Sequence, residues 1–195
     1  MDIVASELTK SYGLEKVLDR FSATFRKGGV TCVMGASGCG KTTLIHILMG
    51  LIQPDSGSVS GMPDKKSAVF QEDRLCEEFS AETNVAMVLD AHADRALIRT
   101  HLDEIGLQDD RLKPVREYSG GMKRRVALVR AILAQSDVLF LDEPLKGLDE
   151  RTKESVVSYL KRHFNGRTVI MVTHDRDEVT AFGAELITLS RGCEE

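Results

Sequence analysis

Residues 30–42 read VTCVMGASGCGKT, and GASGCGKT at 35–42 fits the pattern G-x-x-x-x-G-K-[ST] in full. The context is the one this pattern requires. A short β-rich run, 30–34, comes before it, and helix-like sequence from Lys41 to Met49 follows, punctuated by Gly50 and Pro54. Glycines let the backbone curl until successive N–H groups point at one phosphate, and the helix N-terminus adds its dipole. Gly35, Ala36, Ser37, Gly38, Cys39, Gly40, Lys41, Thr42 and Thr43 are therefore the candidate phosphate cradle. Lys41 reaches the β- and γ-phosphates as a point charge. The Thr42 hydroxyl suits Mg²⁺, which takes few protein ligands and keeps phosphate oxygens and waters. Cys39 sits inside the loop as either a reactive thiol or a small space-filling residue, and the second role is the expectation.

Downstream, the apolar run VLFL at 138–141 ends in Asp142, Glu143 and Pro144. A strand ending in acids beside a phosphate loop completes such a site. Asp142 is expected to hold Mg²⁺ through water, and Glu143 to orient or deprotonate an attacking water. Two solvated acids at a strand end are the alternative.

Around these stretches the chain alternates. Strands are expected at 137–141, 168–172 and 185–189, with helices at about 150–164 and 175–182. Strands alternating with helices indicate a parallel sheet covered on both faces. The first thirty residues read as extended structure: Val17, Phe21, Ala23 and Phe25, at odd positions, suit a half-buried strand. From about Glu72 to Gln135 the pattern is mainly helical. Ala86, Leu89 and Ala93 recur at helical spacing, as do Leu97, Ile98, Leu102 and Ile105, and then Met122, Val126, Val129 and Leu133. The expected fold class is α/β: a mainly parallel core (about 1–71 and 136–195) with an N-terminal antiparallel β subdomain and an inserted helical subdomain (72–135).

Composition bounds the function. The 195 residues are 42% hydrophobic and 29% charged, ordinary globular proportions for one domain. No apolar run approaches the ~20 residues needed to cross a bilayer. The start, MDIVASELTK, carries no signal-peptide pattern. A cytoplasmic protein is expected, touching a membrane only through a partner. A net charge of -4 argues against a dedicated nucleic-acid binder. Cys32, Cys39, Cys76 and Cys193 form no C-x-x-C pair, so reduced thiols are expected rather than zinc or disulfides.

The motifs in order resemble an ABC transporter ATP-binding subunit over nearly the whole chain. Tyr12, in LTKSYG, matches the aromatic residue on which adenine stacks. GASGCGKTT matches Walker A, Gln71 in VFQEDRL the Q-loop glutamine, and YSGGM the signature. LFLDEP matches Walker B, Leu148-Asp149 the D-loop, and His174 in VTHD the switch histidine. P-loop kinases and small GTPases share Walker A but not the later set. The resemblance implies two ATP-binding subunits packed head to tail, with each ATP held by Walker A of one and by Ser119, Gly120 and Gly121 of the other. It implies Glu143 as catalytic base and His174 contacting it and the γ-phosphate. Gln71 would sense Mg²⁺ and the attacking water, and Asp149 would help across the dimer interface. It also implies membrane permease partners, a substrate-binding protein, and a peripheral place on the cytoplasmic side of the inner membrane. Residues 72–92 would supply much of the docking surface, and VFQEDRLCEEFSAETNVAMVL is most similar to importers of the nitrate/sulfonate/taurine branch. Competing readings are a soluble ABC-type ATPase acting on ribosomes or DNA, and a non-hydrolysing scaffold or regulator.

Three departures stand out. Tyr118 and Met122 replace the usual leucine and glutamine of the signature, and a thioether lacks an amide's donors. Lys146 stands where the D-loop commonly has serine. The chain reaches Glu195 soon after its last expected strand, so the further helices or regulatory domain of many relatives are not expected. The signature itself, EYSGGMKRRV at 117–126, puts Ser119 at a helix N-cap and three cations in the first turn, where the dipole disfavours them. Lys123 and Arg124 are read either as a solvated face or as cations waiting for a phosphate brought by the other subunit.

Overall fold

The computed structural model describes residues 1–89 and 94–190. Ala93 and Cys193, both named above, lie outside them. Two sheets share one layer of apolar side chains. β1 (Ile3–Tyr12), β2 (Glu15–Phe25) and β4 (Ser56–Ser60) form a three-stranded antiparallel sheet in the order β2-β1-β4. β3 (Val30–Met34), β5 (Lys66–Val69), β6 (Val138–Asp142), β7 (Thr168–Val172) and β8 (Glu185–Thr188) form a parallel sheet in the order β5-β6-β7-β3-β8.

Period-2 alternation explains how the parallel sheet is covered. Val138, Phe140, Ile170, Val172 and Val33 face one way, onto α1 (Lys41–Met49) and the antiparallel sheet. Leu139, Leu141, Val169, Met171 and Cys32 face the other, onto α4 (Gly120–Leu133) and α5 (Glu150–His163). Both β6 and β7 are buried along their whole length, so their sequences read as continuous apolar runs. Alpha helices α2 (Ala81–Ala86) and α3 (Arg95–Glu104) join α4 in the second core, and α6 (Arg176–Phe182) leads into β8.

The expected elements are present, β4 and β5 are strands that were not expected, and three readings are corrected locally. The odd-position pattern in β2 breaks: Leu18 is buried as well as Phe25. Arg20 sits at φ 47, and the β1–β2 register shifts beside it, which flips the face that points inward. In α3 and at its C-cap, Ile98, Leu102 and Ile105 are buried as expected, but Leu97 is exposed. Only one stripe of the helix reaches the core, and Leu97 lies off it. The Ala86–Leu89–Ala93 spacing does not make one helix, since α2 ends at Ala86 and Leu89 follows in a bend.

Candidate active site

Parallel strands end on the same side, and in open α/β sheets the space beyond their carboxyl ends is where ligands bind. Here the motif segments meet there. Loop 35–40 follows β3, Gln71 follows β5, Asp142 and Glu143 end β6, and His174 follows β7. All but His174 contribute to the walls of a cavity of about 330 Å³ lined by Ser37, Gly38, Gly40, Lys41, Thr42, Thr43, Gln71, Asp142, Glu143, Lys146 and Val172. A larger open groove of about 1390 Å³, with Met1, Lys66, Leu89 and His163 on its walls, holds none of the motif residues.

The loop's geometry is that of a phosphate cradle. Gly40 caps α1 at φ 100, a conformation that L side chains rarely adopt, so no side chain competes for the first N–H groups of the helix. A Cβ on Gly35 would strike Leu189 O at 2.3 Å and Cys39 Sγ at 2.5 Å, which fixes the start of the loop against β8. Lys41 Nζ folds back onto the carbonyls of Gly35 (2.7 Å) and Ala36 (2.8 Å). Cys39 is buried in the core, so it fills space rather than facing the cavity.

The acids are held differently from each other. Asp142 is buried, and burial, followed by the neighbouring Glu143 charge, pushes its carboxyl above the usual carboxylate range against the pull of Arg124, His46 and Lys41. Such a group gains most from a divalent cation, and Thr42 and Gln71 stand on the same cavity wall. The donor set therefore fits Mg²⁺. Glu143 adopts φ 48, a strained conformation for a non-glycine residue that costs of order 1–3 kcal/mol. Its N–H is fixed by Val172 O at 2.9 Å. Its Oε1 lies 3.2 Å from His174 Nδ1, and its Oε2 lies 3.1 Å from Lys146 Nζ. Burial alone pushes the Glu143 carboxyl up, but Lys146 and His174 outweigh it and hold it below its ordinary value. The group is thus held as the carboxylate, the form that a general base requires.

The three signature cations all have partners within the chain, and burial corrects the solvated-face reading for Arg124. Arg124 is buried rather than solvated: it donates to Phe70 O and to Gln71 O, each at 2.7 Å, and pairs with Asp73 at 3.1 Å. Lys123 pairs with Glu77 at 2.7 Å, and Arg125 donates to Ile105 O and Gly106 O. Further along α4, Arg130 donates to Asp73 O and Arg74 O. The segment after β5 is irregular, so its carbonyls need donors, and α4 lies beside it and supplies them. Sequence reading missed Arg124 and Arg130 as the residues that fix the backbone of 70–74, Arg124 at Phe70 and Gln71 and Arg130 at Asp73 and Arg74. Two arginines six residues apart on one helix were the available signal, but nothing in the sequence named their partners. Arg124→Ala should destabilise the protein by about 3 kcal/mol, because it strips two carbonyls and a part-buried carboxylate at once. A fall in the urea unfolding midpoint at unchanged m-value would show it.

Ser119 caps α4 as expected, its Oγ accepting from Met122 N at 3.2 Å. Met122 is answered by packing: its side chain lies against the core, and the cap needs only its backbone N–H. A Cβ at Gly120 would meet nothing within 4 Å, so this helix end is open to a large group. Ser119, Gly120, Gly121, Tyr12, Asp149 and His174 are not among the residues lining the cavity. Tyr12 is half exposed at the end of β1. Asp149 is the N-cap of α5, its carboxylate engaged by Thr152 N (3.0 Å) and Thr152 Oγ1 (2.7 Å).

A family model described as ABC transporter matches residues 18–146, which take in the phosphate loop, Gln71, the signature and the paired acids. The chain belongs to the ABC transporter family. As an ATP-binding cassette it binds ATP and is an ATPase. The cassette is 36% identical to the bicarbonate transport ATP-binding protein CmpD of Synechococcus elongatus, over 97% of this chain and 76% of that one. It is also 36% identical to the taurine import ATP-binding protein TauB of Roseobacter denitrificans, over 90% and 70%. Among solved structures, the dimeric bacterial ABC transporter cassette MJ0796 superposes with a TM-score of 0.85 at 26% identity, over 97% of this chain and 95% of that one. The importer-branch resemblance agrees with these relatives, and the ribosome or DNA alternative is not favoured by them.

Proposed function

We propose that this cassette powers a bacterial importer by hydrolysing ATP at a site shared between two head-to-tail copies. The observation that carries the reading is a division of the motifs. Walker A, Gln71, Asp142 and Glu143 surround one cavity, while a second anion-ready helix end, Ser119 to Gly121, stands off it with open space at Gly120. A site that closes only when a second chain presents its own Ser119–Gly121 accounts for both halves.

In this account the N–H groups of loop 35–40 and Lys41 bind the phosphates, with Ser37, Thr42 and Thr43 completing the cradle. Tyr12 stacks on the base. Thr42, Gln71 and Asp142 hold Mg²⁺, which when bound neutralises phosphate charge and orients its oxygens. Glu143 accepts the proton of the attacking water. His174 orients Glu143 and reaches the γ-phosphate, and Asp149 steadies the facing subunit. The division into a catalytic core (1–71, 136–195) and a helical part (72–135) carrying the signature belongs to the same reading.

Among the described residues no helix is long and apolar enough to cross a membrane. Contact with permease subunits at the inner face of the membrane then falls to a surface such as 72–89, where Phe79, Met87 and Val88 are exposed; positions 90–92 of the expected surface lie outside the described residues. A substrate-binding protein would complete the importer and select its cargo. Affinity purification of the tagged chain from membranes tests this. A multi-span protein should co-purify; recovery of ribosomal or DNA-repair proteins in its place would reverse the reading.

A further inference from the structure

Two lysines line the candidate ATP cavity, Lys41 and Lys146. Lys41 is already tied to two carbonyls of its own loop. Lys146 is placed by the turn that leaves β6. Leu145 and Leu148 are both buried and anchor that turn in the core, while Gly147, at φ 77, bends the chain between them. The lysine is thereby directed back over Glu143, with Nζ 3.1 Å from Oε2. The pairing is close but loose. Glu143 Oε2 is buried and has no properly directed hydrogen bond, whereas the Lys146 side chain is 49% exposed. With its lysine half in solvent, an i,i+3 ion pair of this kind is worth little, about 1 kcal/mol. A triphosphate entering the cavity offers Nζ a denser anion with more acceptor oxygens than one carboxylate.

We propose that Lys146 is a further substrate-binding residue, a cation that rests on Glu143 in the empty pocket and passes to the γ-phosphate when ATP enters. The transfer does two things at once. It adds a charge-assisted bond available to ATP but not to ADP, and it frees Glu143 from its partner only when a hydrolysable nucleotide is present. No bond is made or broken in this step beyond the exchange of ion-pair partners. The inference rests on the reading of the cavity as the ATP site.

Calorimetric titration with ADP and with an ATP analogue bearing an imido bridge between the β- and γ-phosphorus atoms tests it, in Glu143→Gln and in Glu143→Gln/Lys146→Met proteins. Removing the carboxylate separates contact from screening. If Lys146 merely shields the nucleotide from Glu143, its loss has no consequence once Glu143 is neutral. If Lys146 takes the γ-phosphate, the double variant should bind the analogue about 10-fold more weakly than the single one, with ADP affinity changed less than about 2-fold. Lys146→Arg in the same background should restore most of the difference. Equal analogue affinity in the two proteins would overturn the proposal, as would an equal loss for ADP. The analogue cannot be hydrolysed, so the outcome does not depend on Glu143 being the base. Failure of the unmodified protein to bind either nucleotide would refute the site rather than the role of Lys146.

Discussion

Glu143→Gln should lower steady-state ATP turnover by about 10²–10⁴-fold, the range attached to a positioned general base. The change is nearly isosteric and removes one negative charge from the cavity, so ATP affinity should hold or rise. The prediction follows from three features of the site. The carboxylate's residue lines the phosphate cavity, its backbone is held in a strained conformation by Val172 O, and Lys146 and His174 keep it ionised. Steady-state release of phosphate, measured beside nucleotide binding, separates the two effects. Unchanged turnover would remove Glu143 from the chemistry and leave it as one of two acids at a strand end.

Ser119→Arg should be nearly as severe by a different route. Ser119 is not among the residues lining its own chain's cavity, so ATP affinity of the single chain should change by less than about 2-fold if this helix end serves the other subunit. Turnover should fall about 10²-fold or more, as expected when fixed donors to a developing phosphate charge are displaced. Ser119→Ala supplies the control. It costs the helix cap, about 1 kcal/mol, but leaves the space in front of Gly120 open. Its turnover should stay well above that of the arginine variant. Normal turnover in Ser119→Arg would refute a shared site.

Much of this architecture could be read from residue order. β3 and β7 were legible because both faces of each strand are buried, which leaves short apolar runs, and α1 because it follows the glycine loop directly. β4 was not: SGSVS is polar, its residues are mostly exposed, and it forms only by pairing with β1. Pairing of that kind depends on a partner some fifty positions away, and no local period records it. The same limit applied at the site. GASGCGKT announces its ligand because one contiguous stretch makes the cradle. Arg124 could not announce its role, because its partners, Phe70, Gln71 and Asp73, are brought to it by the meeting of α4 with the end of β5. Its dipole-disfavoured place near the start of α4 looked like a cost awaiting an incoming anion, whereas three oxygens of its own chain already compensate it.

The central claim is that each ATP is completed by a second copy of the chain, and mixing two inactive variants tests it most directly. Lys41→Ala destroys the cradle and Ser119→Arg destroys the facing helix end. In a head-to-tail pair formed from one of each, both lesions fall in one site, and the other site is intact. Equal mixing should therefore yield turnover that neither variant shows alone, reaching about a quarter of the unmodified level if chains pair at random and the sites act independently. A mixture no more active than its parents would contradict the account.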